Sequence, residues 1–202
     1  MRIAIMGSGG VGGYFGARLA QGGCDVCFIA RGAHLVALRE HGLMVESKLG
    51  SVRLSSVQAT HDPATLGPVD VVLIGVKLWD TEAAVRAISP IVGPRTVVLS
   101  LQNGVQKDDL LRSLLGDDPV LGGVCYIAAA ISRPGVITHT GTMQRLVFGE
   151  YGRGRSARAE ALLEVCERAG IHQASRSLRN SDIRVTARFT SIRGPTAVQN
   201  KR

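Results

Sequence analysis

The chain has 202 residues, 45% of them hydrophobic and 20% charged, with 24 basic against 16 acidic side chains and a formal net charge of +8. That describes a globular protein of one large domain, or of one domain with part of another, and gives ample material for a core. Aromatic residues make up only 4%, which argues against a nucleic-acid module that stacks bases on rings, and no run approaches the roughly 18 apolar residues of a membrane span.

Arg2 to Met6 is a short apolar run that ends in glycines and leads into a helical pattern, so the chain opens strand, tight turn, helix. Val11, Phe15 and Leu19 repeat every fourth residue, and Gly12, Gly16 and Ala20 form a stripe of small residues that lets the helix lie close to a sheet. Gly22 and Gly23 stop it. Val26 to Ala30 is the next strand, and Ala33 to His41 a second helix holding Leu35, Leu38 and Val36 against the sheet. Leu43 to Glu46 and Val52 to Val57 predict a short hairpin around Gly50. Val69 to Val76 is too continuously apolar for a one-sided strand and suits a central parallel strand covered on both faces.

Asp80 or Thr81 can cap a helix running to about Val92. Thr96 to Ser100 reads as a buried strand, Val105 to Leu115 as a helix and Pro119 to Cys125 as a strand. Tyr126 to Ile131 and Gly135 to His139 pair around Pro134 and Gly135, and Arg145 to Gly149 closes the set of strands. Ser156 to Ala169 is a helix with Leu162, Leu163, Val165 and Cys166 facing inward. The fold class is α/β: a Rossmann-type, doubly wound, mainly parallel sheet with flanking helices, filling residues 1–170. Residues 171–202 form a basic segment without a convincing period of either kind. Residues 172–202 hold seven basic groups (Arg176, Arg179, Arg184, Arg188, Arg193, Lys201 and Arg202) against Asp182 alone, so most of the positive excess belongs to the tail.

Cys24, Cys27, Cys125 and Cys166 follow no secretory signal and do not resemble a disulfide framework, which fits a reducing cytoplasm. Cys24 and Cys27 form a C-x-x-C without a second ligand pair and read as two ordinary thiols, so no metal is expected.

The segment Gly7, Ser8, Gly9, Gly10, Val11, Gly12 is a G-x-G-x-x-G with a strand before it and a helix after it. In that context Gly7 makes the tight turn, Gly9 lets a pyrophosphate approach the backbone, and Gly12 lets helix and sheet touch. The free N–H groups of the helix's first turn then face the phosphates. The second strand ends in Ala30, Arg31 and Gly32 with no acid to accept a ribose hydroxyl. Arg31 can pair with a 2′-phosphate, which favours NADP(H), although an arginine after a strand can also be merely solvated. Lys77 and Asn103 each follow a buried strand, where open α/β sheets place ligands. From spacing alone, Lys77 is equally a solvated strand exit and Asn103 a turn residue before Gly104.

Together these segments resemble one known family, the ketopantoate reductases (2-dehydropantoate 2-reductases). The matching features are RIAIMGSGGVGGYFGARLA, the strand-end Arg31, VLIGVKLWDT, LSLQNGV, and PGVITHTG near residue 138, spanning about residues 1–184 in the family's order. The resemblance implies NADPH-dependent reduction of 2-dehydropantoate, a small 2-keto acid, to pantoate in pantothenate and coenzyme A biosynthesis. It implies that Gly7 to Gly12 hold the pyrophosphate, that Arg31 holds the 2′-phosphate, and that Lys77 and Asn103 lie near the nicotinamide, with Asn103 also reaching the substrate.

After Asp182-Ile183-Arg184 the family continues into a helix with a tryptophan and then a catalytic lysine. Here Thr190 stands about where that lysine falls, and the family's helical C-terminal domain is missing. The expectation is a truncation or frameshift near Arg184, retained cofactor binding, little turnover, and a bare face that invites dimerisation or aggregation. Three other readings stay open: a related NADP-dependent 2-keto or 3-hydroxy acid dehydrogenase, a non-catalytic NADPH-sensing module, and a nucleic-acid arm formed by the basic tail.

Overall fold

A computed structural model describes residues 1–104, 106–152, 154 and 156–175. In chain order its elements are β1 (Arg2–Met6), α1 (Gly10–Gln21), β2 (Asp25–Ile29), α2 (Gly32–His41), β3 (Leu43–Ser47), β4 (Val52–Leu54), β5 (Gln58–Thr60), β6 (Val71–Ile74), α3 (Thr81–Ile88), β7 (Val97–Ser100), α4 (Gln106–Leu115), β8 (Val120–Arg133), β9 (Val136–Gly149), α5 (Ala157–Arg168) and β10 (His172–Ser175). The strands form one sheet in the order β4-β3-β9-β8-β7-β6-β1-β2-β5, and β10 adds to β9. Among the described residues, only the β3–β4 and β8–β9 pairings are antiparallel. The fold is thus the expected Rossmann-type, mainly parallel α/β sheet.

The inner strands are apolar on both faces because each face has its own core. Ile3 and Ile5 of β1, Val71 and Leu73 of β6, and Val97 and Leu99 of β7 point to one side, with α1 and α5. Ala4, Val72, Ile74 and Val98, the alternate residues, point to the other, with Val85 and Ile88 of α3 and Leu111 of α4. This period of two with no polar face is the mark of a strand buried between two helical layers. The small-residue stripe of α1 acts as expected. A Cβ on Gly16 would stand 2.6 Å from Cε1 of Phe28 and 2.9 Å from Cγ1 of Ile5, so only glycine lets the helix lie this close to β1 and β2.

Several boundaries differ from expectation, each for a physical reason. The short strands expected between Pro119 and Gly149 are two continuous ones of 14 residues, β8 and β9. Gly123 of β8 sits where a Cβ would lie 2.3 Å from Cδ1 of Leu99, so the glycine there answers a packing need. The pairing itself is interrupted by a register shift: Ile127 pairs with Gln144, but Ala129 already pairs with His139. The third helix stops at Ile88 rather than near Val92, because Pro90 falls in a 3-10 turn, Ser89–Ile91. Strand β4 ends at Leu54, and Gln58–Thr60 crosses to the far edge to pair with β2. Val36 is 51% exposed and does not join Leu35 and Leu38 in the core. Ser156 caps α5 through the Ala159 N–H. Val105, the alternating Val185 to Thr190 segment and the basic residues from Arg176 onward lie outside the described residues.

Helix α4 is held by a buried ion pair. Lys107 Nζ donates to Asp108 Oδ1 at 2.7 Å and to the Gly123 carbonyl at 2.8 Å, while the Tyr151 hydroxyl donates to Asp108 Oδ2 at 2.8 Å. Both charged side chains are 1% exposed. Each polar group therefore depends on the other, and removing one strands a charge in the interior. Asp108→Ala should lower the unfolding free energy by about 3–5 kcal/mol, read from urea unfolding. A loss below about 1 kcal/mol, the range of exposed pairs, would contradict this account.

Candidate functional site

The parallel strands β1, β2 and β6 end on the same side of the sheet. Between β1 and β6 the chain order reverses direction: β2 continues on one side of β1, and β6 and β7 lie on the other. Open α/β sheets part at such a point and leave a crevice beyond the strand ends. A cleft of about 480 Å³ opens there, between the β1–α1 turn (Gly7, Ser8, Gly9), the end of β2 (Ala30, Arg31), His34 of α2 and the β6 exit (Gly75, Val76, Lys77, Asp80).

The turn that floors the cleft has little freedom. Gly7 has φ +94°, and a Cβ there would lie 2.6 Å from the Val76 nitrogen. A Cβ on Gly12 would lie 2.3 Å from the Gly7 carbonyl oxygen and 3.0 Å from Cγ2 of Ile5. Gly9 differs: nothing lies within 4 Å of its Cβ position, so its open side is free for a ligand. Gly10 instead faces β8, with a would-be Cβ 2.2 Å from the Ala129 carbonyl oxygen, and Val11 packs against the core. Of the six motif residues, Gly7, Ser8 and Gly9 line the cleft, while Gly10, Val11 and Gly12 seat the helix. Ser8 is buried, its hydroxyl donating toward the carbonyls of Ile5 and Ile29. No side chain caps the N-terminus of α1, and its first turn carries no acid. Its leading N–H groups keep their positive partial charge for whatever sits over Gly9.

Arg31 stands at the N-cap of α2, which likewise lacks a side-chain cap and a first-turn acid. Its Nη2 donates to Asp80 Oδ2 at 3.3 Å. Asp80 immediately precedes α3 as expected, but its carboxylate makes no capping bond. Lys77 is exposed at the cleft wall. Asn103 is exposed in the turn after β7 and is not part of the cleft wall, so the structure brings Lys77 together with Arg31 and the glycine turn but leaves Asn103 to one side.

Three further residues shape this region. Gln102 is buried; its amide donates to the Val76 carbonyl at 2.9 Å and to Thr81 Oγ1 at 2.8 Å, which ties the β7 exit to the β6 exit and holds the wall before Lys77. Asp80 looked like a helix cap. His34 of α2 has its Nδ1 accepting the Gly135 N–H at 3.1 Å, while its Nε2 is buried without a hydrogen-bond partner. Since Nδ1 is the acceptor, the proton of the neutral ring is assigned to Nε2, a donor that completes no hydrogen bond of ordinary geometry. No group of three or more His, Cys, Asp or Glu that could hold a metal occurs among the described residues. The four cysteines are buried free thiols, and burial pushes Cys27 and Cys125 up to about 11. No helix among the described residues is long and apolar enough to cross a membrane.

Comparison with known proteins follows the same outline. The family described as Ketopantoate reductase PanE/ApbA matches residues 3–153. A 2-dehydropantoate 2-reductase of Nostoc sp. is 34% identical over 155 residues, covering 77% of this chain and 48% of the relative. The crystal structure of 2-dehydropantoate 2-reductase from Porphyromonas gingivalis W83 superposes with a TM-score of 0.85 at 35% identity, over 91% of this chain and 66% of that one. D-mandelate dehydrogenase, solved with NADH and anilino(oxo)acetate, shares the fold with a TM-score of 0.78 at 24% identity, over 87% of this chain and 56% of its own. The chain spans about half the length of the curated relatives it matches. With a strand–glycine turn–helix at the sheet's reversal point and a family match over three quarters of its length, the chain belongs to the ketopantoate reductase PanE/ApbA family.

Proposed function

We propose that the chain binds NADP(H) in the cleft at the β1–β6 reversal and serves as the cofactor-holding part of a reductase acting on 2-dehydropantoate, a small 2-keto acid. The observation that carries this reading is the uncapped N-terminus of α1 behind an open Gly9. Such a site suits a pyrophosphate, which accepts backbone N–H bonds and is favoured by the helix dipole. The orphaned Nε2–H of His34 supports the same reading, because a buried donor without an acceptor costs about 1–3 kcal/mol until something fills the role. Gly7 to Gly12 would hold the pyrophosphate through their backbone, Arg31 the 2′-phosphate, and Lys77 the nicotinamide side. Asn103, set beside the cleft, would meet substrate and nicotinamide together.

When bound, the nicotinamide supplies a hydride to the C2 ketone. Lys77 can offset charge developing on that oxygen if it reaches the carbonyl. The general-acid lysine implied by the family resemblance falls near Thr190, so turnover by the 202-residue chain is expected to be slight. Four buried thiols free of disulfides fit a reducing cytoplasm. Exposed Leu78 and Trp79 beside Lys77 would support dimerisation.

Calorimetric titration with NADPH, followed by an assay of NADPH oxidation with 2-dehydropantoate, tests both parts. Binding with little turnover is the expected result, and absence of binding would sink the reading. Gly9→Ala and Gly12→Ala should separate ligand from fold. Gly9→Ala should leave the unfolding midpoint in place and weaken NADPH binding about ten-fold, the equivalent of ~1.4 kcal/mol of steric cost. Gly12→Ala should lower stability by about 1–3 kcal/mol, because its Cβ meets backbone. Equal behaviour of the two variants would contradict the assignment of Gly9 to the ligand.

His34 predicts a pH dependence. Burial pushes its pKa below the ordinary 6.5, outweighing the neighbouring Ser8 main chain, which favours the proton. The unfolded chain therefore binds the proton first. The stability contributed by neutral His34 is complete above about pH 6.5 and is lost as the pH falls through the lower folded value. His34→Gln can still accept from Gly135 but does not titrate. Its Tm should fall less than that of the parent between about pH 7 and about pH 5, followed by circular dichroism; identical slopes would remove His34 as the source.

A further inference from the structure

The end of β2 carries no acid, the feature that favours a 2′-phosphate over a free ribose hydroxyl. The fold brings an acid there from the turn after β6. Asp80 lies 49 positions from Arg31 in sequence, beyond β6, yet the two side chains meet at 3.3 Å and both line the cleft. Asp80 is the one acid in that wall, beside Arg31, Lys77, His34 and His61. Its carboxylate takes no part in capping α3, so its position is not explained by the helix it precedes. The side chains of Arg31 and Asp80 are 82% and 35% exposed, which makes the pair a solvent-facing bridge at the cleft rather than a weld in the core.

Resting on the dinucleotide reading above, we propose that Asp80 is a specificity-determining residue of the cleft, one that moderates the preference for a 2′-phosphorylated adenosine. It does so in two ways. A 2′-phosphate must displace the carboxylate before Arg31 can pair with it. Once displaced, the carboxylate remains a negative charge near a phosphate that carries its own, whereas toward a ribose hydroxyl the same oxygen is a hydrogen-bond acceptor. Arg31 and the uncapped N-terminus of α2 pull toward the phosphate, and Asp80 pulls toward the hydroxyl. The chain accordingly discriminates less between the two cofactor forms than Arg31 alone would dictate.

The test uses the full 202-residue chain and two probes that differ only in the group at issue: adenosine 2′,5′-bisphosphate and AMP, titrated by calorimetry at low ionic strength, where exposed charges are least screened. Asp80→Asn keeps the shape and removes the charge. It should tighten the bisphosphate on the order of five-fold, the factor that a pair of exposed charges at this range supports, and leave AMP unchanged or weaker. In an Arg31→Ala background the same substitution should yield a smaller gain, because no guanidinium remains to be released. The ratio of the two affinities is a readout that a purely structural role for Asp80 would not move. If both probes gain equally, or neither does, while the parent chain still binds NADPH, the inference falls and the dinucleotide reading stands. If the parent chain binds neither probe nor NADPH, both fall together.

Discussion

Three glycines converge on one backbone oxygen. The Gly7 carbonyl lies 2.3 Å from where a Cβ on Gly12 would stand and 2.9 Å from where one on Gly75 would stand. That contact sets how near α1 comes to β1 and how near both come to the β6 exit. Everything in the cleft inherits its geometry from it: with side chains excluded at these positions, the floor is made of backbone, and the leading N–H groups of α1 stay unclaimed. A helix held further out would need larger residues to fill the gap, and those residues would occupy the space over Gly9.

Charge is used differently in the cleft and in the rest of the protein. Away from it, the buried charged side chains among the described residues are satisfied locally. Lys107 and Asp108 are buried as a pair, and Arg158 grips Glu150 through both carboxylate oxygens. At the cleft two helices begin without caps, Lys77 is exposed, and Arg31 is engaged by Asp80, a partly exposed acid from the turn after β6. Leaving helix ends and cations incompletely satisfied costs stability, and a protein accepts that cost where the missing partner is a ligand.

Much of this was legible in the sequence because it is local. The run Arg2 to Met6, the glycine turn and the four-residue repeat of Val11, Phe15 and Leu19 lie within 20 residues, and the doubly covered strands show as apolar runs without alternation. The long strands β8 and β9 were not legible as continuous. A register shift breaks the period of two near Ile127, close to where the strand reads as ending. The three-residue β5, Gln58–Thr60, has no pattern long enough to see. In the site, Gly7, Ser8, Gly9, Arg31 and Lys77 could be found from strand ends alone. His34 and Asp80 could not, since what distinguishes them is a partner: Gly135 lies 101 residues away from the first and Arg31 lies 49 from the second.

The first half of β9 has a bearing on how the chain is made. Its residues Val136 to His139 pair with β3, and the hydrogen bond between Ser47 and His139 spans 92 residues. Strand β3 and its partner β4 therefore emerge during synthesis as a bare hairpin, with the edge that belongs to β9 open. At about 5–20 residues per second the missing strand arrives on the order of ten seconds later. Until then Leu43, Val45 and Val52, which end up buried, have only each other and α1 to cover them. The hairpin's tip, by contrast, is already supplied with a clasp: Arg18 of α1 donates to the carbonyls of Leu49 and Gly50. An arginine made early can thus hold in place a hairpin whose sheet partner comes late.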